Sequence, residues 1–378
     1  MSREVVIRGV GTSHFGAFPE KRVEELAWEA AVEALEDAAT ERSELGAFLV
    51  GSVFGPPGIA ARVGRGLGIG SVPAYAIEAA CASGTAAFHE AVTGVADGRF
   101  DCALVLGVEQ LSTLFSGAIV PEATDPEGAT GLPLPGLYAL QAERYRHLYG
   151  LDDEQLAAVA VKNKRHGLRN PRAHLAAELT VGEVLESRMI AEPLTLLQCC
   201  PTSDGAGALV VSTARGEPGE VRVRASALVS GEPWDHRNPE EWGRLSVARA
   251  AEQAYAQAGV SAEEIDLFEV HDAFTIGEII TLEALGIAPS GEGASLAVSG
   301  HTAFGGAQPV NASGGLLSRG HPLGATGTAQ IAEMAWQLRG HAGERQVAGA
   351  ELGLVETMGG GAAGMDGNAC VVTVLSKS

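Results

Sequence analysis

Residues 80–98 read ACASGTAAFHEAVTGVADG, and residues 320–340 read GHPLGATGTAQIAEMAWQLRG. Each opens on a turn of small residues and runs into an alanine-rich stretch with helical spacing. Each is followed by a strand pattern, DCALVLGVEQ at 101–110 and NACVVTVL at 368–375. What precedes them also repeats. In the first half a strand (Val5 to Val10) leads to the helix ELAWEAAVEALEDA (Glu25 to Ala38) and the buried strand AFLVGSVFG (Ala47 to Gly55). In the second, Val221 to Val229 leads to LSVARAAEQAYAQAG (Leu245 to Gly259) and DLFEVHDAF (Asp266 to Phe274). Two copies of an alternating β/α unit predict an α/β fold with layered, mostly parallel sheets. The first half is expected to span residues 1–215 and the second 216–378. A segment of different character, about 112–197, interrupts the first half. It holds a Pro/Gly-rich loop (Pro121 to Gly136) and two polar helices around LYALQAERYRHLYG and DEQLAAVAVKNKRHGL, read as a cover over the active site.

Composition narrows the function classes. The chain has 378 residues, 46% of them hydrophobic, which is enough for a large core in two halves. Its formal charge is 26 − 47 = −21, which disfavours nucleic acid as a partner. The five cysteines, Cys81, Cys102, Cys199, Cys200 and Cys370, form no C-x-x-C pair. Neither a disulfide framework nor a metal site is indicated, and a reducing cytoplasm is expected. The N-terminal MSREVVIRGV enters a strand pattern without a leader, and no apolar run reaches membrane-spanning length.

Three residues carry chemistry. Cys81 follows a short strand, AYAIEAA, and stands where a helix begins near Ser83 to Thr85. The positive end of a helix and its free N–H groups stabilise a thiolate, so a lowered pKa is expected. A buried structural cysteine fits the same local context. His321 lies between Gly320 and Pro322, with Gly324 and Gly327 close by. So constrained a histidine suits a base that takes a thiol proton, although a turn histidine held for its own hydrogen bonds fits too. His271 ends a buried strand in EVHDAF, where open α/β sheets place their ligand sites. Asp272 could orient a neighbour or cap the next helix.

Taken together, CASG around Cys81, HDAF around His271, and NASGG followed by GHPLGATG around His321 resemble the motif set of the thiolase superfamily. The resemblance is to the branch with a histidine motif, which includes sterol-carrier-protein-type thiolases and archaeal and bacterial acetoacetyl-CoA thiolases. It extends over nearly the whole chain, through GVEQLS, AAVAVKNKRHGLRNP, PLTLLQCCPTSDGAGALVV and the C-terminal GGG. It implies duplicated βαβαβαββ halves in an αβαβα layering with an inserted loop domain. It also implies acyl-CoA acyl transfer: 3-oxoacyl-CoA thiolysis or acetoacetyl-CoA formation. Cys81 would be the acylated nucleophile, His321 its activator, and His271 a holder of the thioester oxygen. An oxyanion hole would use the backbone N–H groups of Cys81 and Gly359. Removing one such donor typically slows a reaction about 100- to 1000-fold. No permanent cofactor is implied, and coenzyme A thioesters enter as substrates.

The sequence also departs from the family. Thr357 stands where most thiolases begin a C-x-G-G-G motif with cysteine, and Ala273 where many histidine-branch members carry one. The second acid/base is therefore open among His321, His271 and Glu356, and Cys370 reads as core. Lys162, Lys164 and Arg165 form a basic run that is either a solvated helix face or a cradle for CoA phosphates. The fold implies a homodimer or tetramer, paired through the sheet edge near the nucleophile. The branch further implies a small OB-fold/zinc-ribbon partner protein. Two rivals remain: a retro-aldolase acting on steroid-type CoA thioesters, and a non-catalytic acyl-CoA- or lipid-binding subunit.

Overall fold

The first strand, β1 (Val5–Thr12), is buried along its whole length and sits near the middle of the molecule. The computed structural model describes residues 3–120, 124–360 and 363–378. The start of the Pro/Gly-rich loop and the third glycine of the TMGGG turn lie outside them. After β1 come α1 (Val23–Asp37), β2 (Ala47–Gly51), α2 (Ile59–Leu67), β3 (Ala74–Ile77), α3 (Ser83–Ala96) and β4 (Cys102–Gln110). The cover segment follows, with α4 (Pro126–Ala129), α5 (Leu134–Tyr149), α6 (Asp153–Gly167), α7 (Val181–Glu186) and a small ribbon of β5 (Met189–Ala191) and β6 (Leu194–Thr195). Strand β7 (Asp204–Thr213) closes the first half.

The second half holds β8 (Val221–Val229), α8 (Arg244–Ala258), β9 (Leu267–Glu269), α9 (Thr275–Ala284), α10 (Gly293–Val298), α11 (Gly315–Ser318), α12 (Thr326–Arg339), β10 (Leu352–Gly359) and β11 (Ala369–Lys377). The strands run in the order β3-β2-β4-β7-β1-β8-β11-β10-β9. The duplication is visible in that order, because β2-β4-β7-β1 is matched by β9-β10-β11-β8. The halves meet where β1 and β8 pair antiparallel over two residue pairs, Val6 with Arg222 and Ile7 with Val221.

The pairing corrects the expectation of mostly parallel sheets. Parallel ladders are confined to β2 with β3, β2 with β4, and β9 with β10. Strands β1, β7, β8 and β11 pair antiparallel, as do β4 with β7 and β10 with β11. The central strands join the chain's two copies back to back, which a β/α alternation read along the sequence does not reveal.

Side-chain alternation builds the layers. Ala47, Leu49, Ala103, Val105, Leu209 and Val211 face inward onto Phe88 and Ala91 of α3 and onto Ile331 and Met334 of α12. Their neighbours Phe48, Val50, Leu104, Leu106 and Val210 face outward under Leu26 and Ala30 of α1 and Val63 of α2. In the second half Leu267 and Val355 face inward, while Phe268, Leu354 and Val374 face outward under Val247 and Ala251 of α8. This is the period of two that strands impose. Helices α3 and α12 thus form the middle layer of an αβαβα stack. The start of α3 packs so closely on the turn into α12 that a Cβ on Gly84 would lie 2.5 Å from the Gly324 carbonyl oxygen and 3.2 Å from the Thr328 methyl. No described helix is long and apolar enough to cross a membrane.

One element is much shorter than its sequence pattern. The strand expected over Asp266–Phe274 keeps only Leu267–Glu269. Beyond it, side chains take over the backbone hydrogen bonds. The Val270 N–H donates to Asn311 Oδ1 at 2.9 Å, and the His271 N–H donates to Glu356 Oε2 at 2.9 Å. The chain leaves the sheet there without orphaning its donors.

Candidate active site

Strand β3 delivers the chain to Ala80, whose φ of +49° lies in the left-handed region. A residue with a Cβ held there stores roughly 1–2 kcal/mol, and the bend aims the next residue, Cys81, at the start of α3. The second half answers with its own turn. His321 precedes a short 3-10 turn (Leu323–Ala325) that runs into α12. Glu109, at the end of β4, ties this turn down. Its carboxylate accepts from the N–H groups of Gly324 (3.1 Å), Val53 (2.8 Å) and Phe54 (2.9 Å). His271 arrives from the loop after β9. Cys81 Sγ and one ring nitrogen each of His271 and His321 all lie within 4.8 Å of one another. The two imidazoles meet edge to face, centroids 5.0 Å apart at 82°.

Hydrogen bonding fixes the His321 tautomer. The Thr326 hydroxyl donates to the Pro322 carbonyl at 3.1 Å, so its proton is already committed. His321 Nδ1, 2.7 Å from the same hydroxyl oxygen, must therefore be the donor. That leaves Nε2 as a bare acceptor, the form a general base needs. His271 Nδ1 is buried with no hydrogen-bond partner among the described residues. Burial lowers the pKa of both histidines, that of His271 to about 3, so both stay neutral at pH 7.

The resting thiolate expected from the sequence is overturned. Cys81 keeps a partly exposed surface. Even so, burial pushes its thiol up to about 12, against the pull of the backbone N–H groups of Gly360 and of Cys81 itself. A helix N-terminus contributes on the order of 0.3–1 kcal/mol, less than desolvation takes away. The thiol therefore ionises only as it attacks, with a neutral imidazole ready to take its proton.

The N–H that reaches the sulfur is that of Gly360, one residue beyond Gly359. Gly359 is paired with Ala369 in the β10–β11 ladder, and its carbonyl accepts from the Asn368 N–H at 2.7 Å. A Cβ on Gly359 would collide with the Ala79 carbonyl oxygen, so glycine lets this strand end press against the nucleophile loop.

The basic run is corrected as well. Lys162 and Lys164 are only 5% and 3% exposed and serve the interior. Lys162 Nζ donates to Glu278 Oε1 at 2.5 Å, and Lys164 Nζ to the Leu317 carbonyl at 2.6 Å. Their helix, α6, turns these lysines toward α9 and α11, a direction that charge alone cannot give. Arg165 points outward into an ion pair with Glu178. Asp272 does not cap α9, whose N-cap is Phe274, but orients other neighbours. It accepts from the Leu316 N–H at 2.6 Å and the Asn163 side-chain amide at 2.7 Å.

Several residues of the site lie in the quoted stretches GHPLGATG, GVEQLS and LYALQAERYRHLYG but were not singled out there. Glu109 acts on turns far from it in the chain, whereas Thr326 acts on His321 five residues away. Tyr138, from α5 of the cover, packs its ring 4.4 Å from Phe274 and feels the charge of Cys81.

The thiolase N-terminal domain family matches residues 5–215, and the thiolase C-terminal domain-like family matches 232–374. The chain belongs to the thiolase family. An acetyl-CoA acetyltransferase of Methanothermobacter thermautotrophicus is 39% identical over 370 residues, covering 95% of this chain and 97% of that one. The benzoylsuccinyl-CoA thiolase subunit BbsB of Thauera aromatica is 37% identical over 348 residues, with 90% of each chain covered. Among solved structures, the Ltp2-ChsH2(DUF35) aldolase superposes with a TM-score of 0.84 at 25% identity, covering 99% of this chain and 98% of that one. In this thiolase the two halves of the duplication each bring one member of the cysteine–histidine pair.

Proposed function

We propose that this thiolase transfers acyl groups between coenzyme A thioesters through an acyl-Cys81 intermediate, by 3-oxoacyl-CoA thiolysis or its reverse, acetoacetyl-CoA formation. The observation that carries this is the convergence of Cys81 Sγ with His271 and His321 within 4.8 Å. As the sulfur attacks the acyl carbonyl, its proton passes to Nε2 of His321. Backbone N–H groups of Cys81 and of the TMGGG turn receive the oxyanion, and neutral His271 faces the oxygen of the second thioester. Of the three cations read as a CoA cradle, Arg165 alone remains exposed for a phosphate. Intact-mass analysis after incubation with acetyl-CoA tests the reading. An acetyl adduct is expected on the peptide holding Cys81, and none on the Cys81→Ala variant. A wild-type chain that never acquires the adduct would overturn acyl transfer. That result would favour a retro-aldol reaction on a CoA thioester, the reading to which the aldolase among the structural relatives lends support.

Assembly belongs to the same proposal. Among the described residues strand β3 pairs only with β2, and Tyr75 on it is 41% exposed. An open edge beside the nucleophile suits antiparallel pairing with a second copy, giving a homodimer. A protein partner of the OB-fold/zinc-ribbon kind is also proposed, and the DUF35 component named with the aldolase supports a partner for this chain. Full turnover by the purified chain alone would end that part.

A further inference from the structure

Thiolysis of a 3-oxoacyl thioester leaves an electron pair on the α-carbon of the departing acetyl thioester, and that carbon must receive a proton. At that moment His321 already holds the proton of Cys81. A second proton donor is therefore required, and neither Thr357 nor Ala273 can serve. Glu356 is fully buried, with its carboxylate turned to the His271 N–H and the Cys370 thiol.

Cys200 stands in a different position. It lies on the strap Cys199–Thr202, which is stitched to both histidine loops. Cys199 bridges antiparallel to Phe274, the Cys200 N–H donates to the Ala273 carbonyl at 2.8 Å, and Thr202 bridges parallel to His321 itself. The strap thus joins the backbones of the two histidine loops, with Cys200 between its anchor points. Cys200 is partly exposed, whereas Cys370 is sealed in the core. Its neighbour Cys199 is occupied elsewhere, donating its thiol to the Thr195 carbonyl at 3.3 Å.

Resting on the acyl-transfer reading, we propose that Cys200 is the catalytic acid–base group at the substrate α-carbon, with Lys164 balancing the charge it acquires. In the thiolytic direction Cys81 forms the S–C bond and the C2–C3 bond breaks. Its electron pair takes the proton of the Cys200 S–H, leaving a thiolate. The incoming CoA thiol returns a proton to that thiolate as it attacks acyl-Cys81, and His321 reprotonates the released Cys81. Two further features agree with this cycle. Burial holds the resting Cys200 as a thiol, ready to donate, and the sulfur feels both Cys81 and the Lys164 ammonium. Lys164, held by the Leu317 carbonyl, has its own pKa lowered by burial to about 8, with the Cys200 charge acting the other way.

The test separates the two half-reactions with acetyl-CoA as the probe. Acylation is read as the mass adduct on Cys81. Proton transfer at carbon is read as exchange of the acetyl methyl hydrogens in deuterated water. In Cys200→Ser and Cys200→Ala the adduct is expected to form within about threefold of the normal rate, which also certifies the fold. Exchange should fall roughly 100-fold or more. Cys199→Ser should change neither. Normal exchange in the Cys200 variants, or acylation and exchange falling together in both, would overturn the role of Cys200. A wild-type chain without any adduct would instead sink acyl transfer itself, and this proposal with it.

Discussion

The turn at residues 79–85 and the turn at residues 320–326 are counterparts in the duplication, and they have been put to opposite uses. Both enter a central helix, and Gly84 of the first helix touches Gly324 of the turn into the second. The first turn is strained at Ala80 and leaves its cysteine partly exposed. The second is locked from several sides, by Thr326 on the imidazole and by Glu109 on the Gly324 N–H. A nucleophile has to reach a substrate. A base has to keep one tautomer and one orientation. Duplication supplied two equivalent helix entrances, and they contribute different side chains to one site.

The comparison can be broken or sharpened in three ways. The largest effect is expected from His321→Ala, which should slow Cys81 acylation by about 100- to 10,000-fold. Thr326→Val should slow it only about fivefold, since it removes one hydrogen bond of about 1 kcal/mol. Equal losses in the two variants would mean that the tautomer lock matters as much as the base. Next, Gly84→Ala places a methyl group against the Gly324 carbonyl and should lower stability by roughly 1–3 kcal/mol, read as a drop in denaturation midpoint. An unchanged midpoint would show that the two turns are not in close contact.

The last test concerns pH. The folded chain holds His271 near 3, while the unfolded chain binds its proton near the ordinary 6.5. The unfolded state therefore gains protons first. The contribution of neutral His271 to stability is complete above about 6.5 and is lost as pH falls toward 3. Between pH 7 and 4 the melting temperature of wild type should fall relative to that of His271→Asn, and parallel curves would contradict the shift.

Much of this was legible in the chain. The repeat of turn, alanine-rich helix and strand announced the two halves, and the motif frames singled out Cys81, His271 and His321. Other features were invisible for identifiable reasons. Lys162 and Lys164 looked like a surface run because charge is written in the sequence and the facing of a helix among its neighbours is not. Cys199 and Cys200 looked alike as adjacent sulfurs, yet one donates to a local carbonyl while the other sits on a strap between two loops. Thr326 and Glu109 lie within GHPLGATG and GVEQLS, but a motif does not show what its members hold: Thr326 holds the imidazole of its own turn, and Glu109 holds a turn from the other half.

By itself, then, the sequence determined the periodicities: which residues alternate in strands, which recur along helices, and where small residues permit a sharp turn before a helix. These are local properties set by backbone sterics and side-chain spacing. Only the tertiary structure decided how strands as distant in sequence as those holding Cys102 and Ser212 pair antiparallel. It also decided that burial outweighs the helix end at Cys81 and that two histidines from separate loops meet beside one sulfur. Pairing, desolvation and proton affinity depend on what surrounds a group in space, and that environment exists only after the halves have closed on each other.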